Sequence, residues 1–152
     1  MAKKARTAEE ADAADAAQWV THTHEVLNNL AQIRSDACID LTGYTRSIRE
    51  LLMLFYGADL LITNDGGPGH FASLTPIRTM VFFGPETGRL YGPLGSRAKV
   101  LESGLACSPC LSAYNHRETF CDGDNQCLKR IAPDPVLAQA LATLAEPVFE
   151  GL

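Results

Sequence analysis

The segment that most constrains this chain is an apolar run that empties into glycine. Asp59-Leu60-Leu61-Ile62-Thr63 reads as a buried strand, and Asn64-Asp65-Gly66-Gly67-Pro68-Gly69-His70 follows it directly. Glycines there let the backbone take positive φ and come close to a ligand. Pro68 suits the first helical position, where its missing N–H costs nothing. The spacing therefore predicts a strand, a tight turn and a short helix through Leu74. The N–H groups of Gly67, Gly69 and His70 would face an anion at the helix start. His70 is placed to add a donor or a positive charge. Asp65 is placed to accept from a sugar hydroxyl or to hold the turn. By spacing alone, a plain strand-to-helix turn with a surface histidine fits equally well.

The flanking segments alternate in the same way. Ser47 and Glu50 have capping-box spacing, and Ile48, Leu51, Leu52 and Phe55 repeat at helical intervals up to Gly57, so a helix is predicted over 47–56. Apolar runs at 37–41, 79–83 and 98–101 read as further strands. Pro135 opens a helix predicted over 135–149. Upstream, Trp19, Val26, Leu30 and Ile33 share one stripe of a helix predicted over 9–33, after a loose tail. This alternation predicts an α/β fold with a parallel, Rossmann-like sheet, and ligands beyond the carboxyl ends of its strands. The expected organisation is a tail and helix over 1–35, then one domain over 36–152 with a Cys-rich loop at 104–128.

Bulk properties narrow the function. A length of 152 residues suits one domain, and 46% hydrophobic with 20% charged residues is a globular composition. A net charge of −5 argues against a general nucleic-acid binder, which needs a basic face. No run is long and apolar enough to span a membrane, and residues 1–17 lack the apolar core of a signal peptide. The cytoplasm is the default compartment. There, five cysteines favour thiols or metal ligands over disulfides. Cys107-Ser108-Pro109-Cys110, with Cys121 and Cys127, can build a tetrahedral structural zinc site. Free buried thiols and a disulfide stay open as the other states of the same set. His116 is a substitute ligand, and Cys38 is expected in the core.

Four pieces in order carry a family resemblance. Asp59 through His70 resembles a strand ending in Asp-(Ser/Thr)-Gly-Pro-x-His. Asp40-Leu41-Thr42-Gly43 with Ser47-Ile48-Arg49-Glu50-Leu51 is similar to the segment before the preceding helix. Phe82-Phe83-Gly84-Pro85-Glu86-Thr87 resembles a Phe-Gly-Pro-Thr loop, and Tyr91-Gly92-Pro93 resembles the short motif after it. Together, over residues 36–131, they resemble the donor-binding domain of glycosyltransferase family 9, the ADP-heptose:lipopolysaccharide heptosyltransferases.

The resemblance implies the C-terminal half of a GT-B fold. It also implies transfer of a sugar, a heptose, from a nucleotide-diphosphate sugar such as ADP-heptose to a lipopolysaccharide-type acceptor. It places the donor diphosphate-sugar on Asp65, Gly67 and His70, with Gly66 and Gly69 in the same loop and Thr45 and Arg46 nearer the base. No cofactor is required for that chemistry. It implies a cytoplasmic protein, peripheral at the inner membrane. The family's acceptor domain, with its catalytic base, has no counterpart here. The chain thus reads as a fragment, a split gene product or a reduced relative, with a second chain supplying the acceptor half or pairing at a sheet edge. The alternative is a non-catalytic nucleotide-sugar-binding or assembly module. Gly66 stands where the family has Ser or Thr, Gly69 where it has a larger residue, and Glu86 beside its Thr.

Overall fold

The computed structural model describes residues 37–111, 113 and 118–147. The helix expected over 9–33, His116 and the end of the helix expected to reach 149 lie outside the described residues. Packing divides the chain into two units, Met1–Tyr44 and Thr45–Leu152.

In the first unit the strand expected at 37–41 does not form. Residues 38–41 form no regular element and are exposed. Ile39 is 82% exposed, and Cys38 lies on the surface rather than in a core. Turn chemistry outweighs the short apolar run. Asp40 Oδ1 accepts from the Thr42 N–H at 2.8 Å, the Tyr44 N–H reaches Leu41 O at 3.0 Å, and Gly43 takes φ 73°. The bonds from Thr42 hold the Asp40 carboxyl below its ordinary range.

The second unit is built on a parallel sheet of three strands in the order β1-β2-β3. β1 is Leu60–Asn64, β2 is Arg78–Phe82 and β3 is Ala98–Leu101. Around them run α1 (Ile48–Tyr56), α2 (Gly67–Ala72), α3 (Gly88–Tyr91), α4 (Gln126–Lys129) and α5 (Pro133–Ala145). The register sets Leu61 beside Thr79 and Ile62 beside Met80, with Ala98 and Lys99 continuing the rows. Sequential parallel strands need crossovers of one hand, so α2 and α3 fall on the same face. That face carries Thr63, Val81 and Val100. Phe55, Ala72 and Ile77 form the cluster beneath α1 and α2, with Leu51, Leu52, Leu61 and Phe71 against it. Burying Phe55 alone contributes about 1.5–3 kcal/mol. Phe83, fully buried just past β2, still donates its N–H to Leu101 O at 2.9 Å.

The other face is covered by α5, and Arg78 fastens it there. One guanidinium nitrogen, Nη1, lies 2.7, 3.3 and 3.0 Å from the carbonyls of Thr143, Leu144 and Glu146. Its Nε donates to Asp59 O at 3.2 Å. These are carbonyls that a helix end cannot satisfy internally, and a cation belongs at that negative pole. Lys99 adds bonds to Thr143 Oγ1 at 3.1 Å and Glu146 Oε1 at 2.5 Å.

Replacing Arg78 with Ala should lower stability by about 2–3 kcal/mol, the scale of a lost bond to a charged group plus carbonyls left unpaired. Arg78→Lys should recover only part, because one ammonium cannot reach both Asp59 and the helix end. Urea denaturation checks this, and a loss under about 0.5 kcal/mol for the Ala variant would show that α5 holds by apolar contacts alone.

Candidate functional site

Because all three strands run in parallel, the segments after them meet at one edge. Residues 65–67 follow β1, residues 83–87 follow β2, and residues 102–105 follow β3. Thr45 and Arg46 stand just before α1, which leads the chain to β1.

The loop after β1 is built as the glycine spacing predicts, with one shift. The Asp65 N–H continues the ladder onto Phe82 O at 3.0 Å. Gly66 is extended, and α2 begins at Gly67, so Pro68 is the second helical residue rather than the first. The N-cap Gly66 offers no side-chain oxygen to the helix. By contrast, Ser47 Oγ accepts from the Glu50 N–H at 3.3 Å in α1, and Thr87 Oγ1 accepts from the Arg89 N–H at 3.3 Å in α3. First-turn N–H groups have no intrahelical acceptor. With six residues, α2 supplies donors rather than a large dipole.

Asp65, Gly67 and His70 are exposed at this edge, and Gly66 is half-buried. Gly69 differs. It is buried, and a Cβ there would stand 3.4 Å from Pro93 Cγ, 3.4 Å from Val81 Cγ2 and 3.6 Å from Thr63 Cγ2. Gly69 is thus a packing position that seats α2 on the sheet, not a source of flexibility. Pro93 comes from the Tyr91-Gly92-Pro93 motif, which is held tightly in turn. A Cβ on Gly92 would sit 2.4 Å from Gly88 O, and one on Gly88 would sit 2.5 Å from Val100 Cγ1. Glu102 Oε1, past the end of β3, accepts from the Gly88 N–H at 3.1 Å. The motif therefore buttresses the loop after β1.

Thr45 is half-buried and Arg46 exposed. The Arg46 N–H donates to Glu50 Oε2 at 2.6 Å, so Glu50 closes one residue earlier than a standard capping box. Thr87 is engaged as the cap of α3, and Glu86 is half-buried beside it.

A cavity of about 440 Å³ opens at the opposite edge, among Tyr56, Asp59, Arg78, Arg97, Lys99 and Glu146. Its size reflects the seam between α5 and the sheet. Arg78 and Lys99 are spent on the α5 end, and open parallel sheets bind ligands at the other edge.

Among the described residues no three His, Cys, Asp or Glu side chains gather as a metal site, and none of the cysteines is in a disulfide. Cys121 is exposed and held locally, its N–H on Thr119 Oγ1 at 3.1 Å. Cys127 is buried on α4, and burial pushes its thiol up.

A parallel sheet with helices on both faces and a glycine loop leading from its first strand into a helix define a Rossmann-like ligand-binding domain. The model of glycosyltransferase family 9 (heptosyltransferase) matches residues 12–120, and the chain belongs to that family. The match begins within the segment read as tail and helix. Two similar proteins are both named lipooligosaccharide heptosyltransferase 2. The one from Campylobacter jejuni subsp. jejuni serotype O:2 is 29% identical over 119 residues, 76% of this chain and 36% of the relative. The one from serotype O:6 is 29% identical over 118 residues, with the same coverage. The chain thus spans about a third of the length of these relatives. No solved structure matches. No described helix is long and apolar enough to cross a membrane.

Two measurements check the geometry. Gly92→Ala should cost about 1–3 kcal/mol of stability, because a backbone oxygen occupies the methyl's place. Gly67→Ala, whose Cβ would meet only Phe71 Cε2 at 3.5 Å, should change stability by less than about 0.5 kcal/mol. Equal effects would show that the Gly88–Gly92 approach is wrong. In native alkylation, Cys127 should react after Cys38 and Cys121. Its raised pKa means that its thiolate appears only at higher pH, so its rate should catch up as the medium becomes more alkaline.

Proposed function

We propose that this chain carries the donor side of a glycosyltransferase that moves a sugar from a nucleotide-diphosphate sugar to a lipo-oligosaccharide or lipopolysaccharide acceptor. The observation that carries the reading is the α2 N-terminus. In a family 9 chain, a glycine loop at a strand end enters α2 at an exposed edge, with no side-chain cap from its N-cap residue. The names of the similar proteins support a heptose as the sugar, and an ADP-linked donor is the finer form of the proposal.

In this reading the exposed Gly67 N–H holds the donor diphosphate, Gly69 seats the loop that carries it, and His70 adds a bond from its ring. Asp65 accepts from a sugar hydroxyl, and Thr45 and Arg46 flank the base. As the acceptor oxygen attacks the anomeric carbon, the sugar–phosphate bond breaks and negative charge gathers on the departing diphosphate. Donors already fixed by the fold stabilise that charge without rearranging. The base that takes the acceptor's proton is assigned to an acceptor domain, in a longer chain or a second one.

Calorimetry with ADP-, GDP- and UDP-sugars tests this. The ADP-sugar should bind best. His70→Ala should weaken binding by about 1–3 kcal/mol, the scale of a charge-assisted hydrogen bond. Gly67→Val should weaken it more, and Gly67→Ala gives a variant whose fold is not strained. Equal affinity in wild type and all three variants would reduce the loop to a turn.

A further inference from the structure

The Gly84–Pro85 loop after β2 is gripped from two sides by cysteine-bearing segments. On one side Ser108 Oγ donates to Gly84 O at 2.6 Å, and the N–H groups of Cys110 and Leu111 donate to Pro85 O at 2.9 and 2.8 Å. On the other, α4 presses in so closely that a Cβ on Gly84 would lie 2.7 Å from Leu128 Cγ and 3.0 Å from Cys127 Sγ. Cys110 and Cys127, remote in sequence, therefore abut the same dipeptide. Burial pushes the Cys127 thiol up, and Cys110 and then Cys107 add to the rise. Cys121, the fourth member of the sequence set, stays on the surface.

We propose that Cys110 and Cys127 form a thiol–disulfide modification site, oxidised by a small disulfide of the glutathione class, which locks the Gly84–Pro85 loop between residues 108–111 and α4. The half-buried Cys110 thiolate attacks one sulfur of the small disulfide. That S–S bond breaks, one small thiolate leaves, and a mixed disulfide remains on Cys110. Cys127 gives up its proton and displaces the second small thiolate from Cys110. Two protein thiols thus lose two protons and two electrons, and the small disulfide is reduced to two thiols. The tight fit of α4 against Gly84 holds Cys127 in place for the second step, and its burial makes that step the slower one.

The site lies at the edge that carries residues 65–67, so its redox state sets how firmly that edge is held. The inference does not depend on which sugar donor binds.

The test uses the full chain with Cys38 and Cys121 replaced by Ser. It is incubated with oxidised glutathione, digested with trypsin without reductant and mapped by mass spectrometry. The expected product joins peptide 100–117 to peptide 118–129, at a mass lower by two hydrogens, and dithiothreitol reverses it. The cross-link should survive Cys107→Ser and vanish in Cys110→Ser and Cys127→Ala, whose folding is checked by circular dichroism. The oxidised protein should melt at a higher temperature than the reduced one. A bond confined to Cys107 and Cys110, a glutathione adduct that never resolves, or a cross-link that survives Cys110→Ser would overturn the proposal.

Discussion

The contact on which the second unit depends is the guanidinium of Arg78 against the end of α5. A three-stranded parallel sheet has two faces to cover, and the crossover helices can cover only one. The other face waits for a helix that no crossover delivers. Arg78 stands at the start of the central strand with its side chain only 13% exposed. Such a charge is costly to bury unless its hydrogen bonds are answered. They are answered by the carbonyls of Thr143, Leu144 and Glu146. One group thus resolves two problems, a buried cation and a helix end with spare acceptors. The ion pair with Asp59, at 3.9 Å and 83% exposed on the acid side, adds little to this.

The opposite edge is organised by shape rather than charge. Gly69 lets α2 settle on Val81 and Thr63 beneath Pro93, Gly92 lets Pro93 reach that position, and Gly88 lets the whole turn lie on Val100. The short motifs of the family resemblance are therefore parts of one interlocked surface. Their residues are small because neighbouring backbone and side chains already fill the space. A ligand loop carried on such a surface has its N–H groups fixed before anything binds, which lowers the ordering cost of binding.

Much of this was legible in the sequence, and the gaps have physical causes. Leu60–Ile62 and Thr79–Val81 are apolar runs bounded by turn formers, and both became strands within one residue of the expected limits. Ala37–Leu41 has the same look and failed, because Asp40 and Gly43 supply a local turn that competes with pairing. The strand-to-helix turn was readable from its glycines, but the difference between Gly67, which is exposed, and Gly69, which packs inward, needs the third dimension. α3 and α4, of four residues each, carry too few turns for a periodic signal. The roles of Arg78 and Glu102 leave no local trace, since their partners come from other elements. The cysteine spacing left a zinc set, free thiols and a disulfide open, and it carries no sign of burial, which sets Cys127 inside against Gly84 and Cys121 outside.

The Arg78 contact also has a temporal side. Its first acceptor, Thr143, lies 65 residues further along the chain. At a synthesis rate of roughly 5–20 residues per second, Arg78 is made roughly 3–13 s before that carbonyl exists. All three strands can pair during this interval, but the end of α5 that Arg78 and Lys99 hold has not yet emerged. The nascent chain passes through a stage in which all three strands have been made and one side of the sheet is open to whatever surrounds the ribosome.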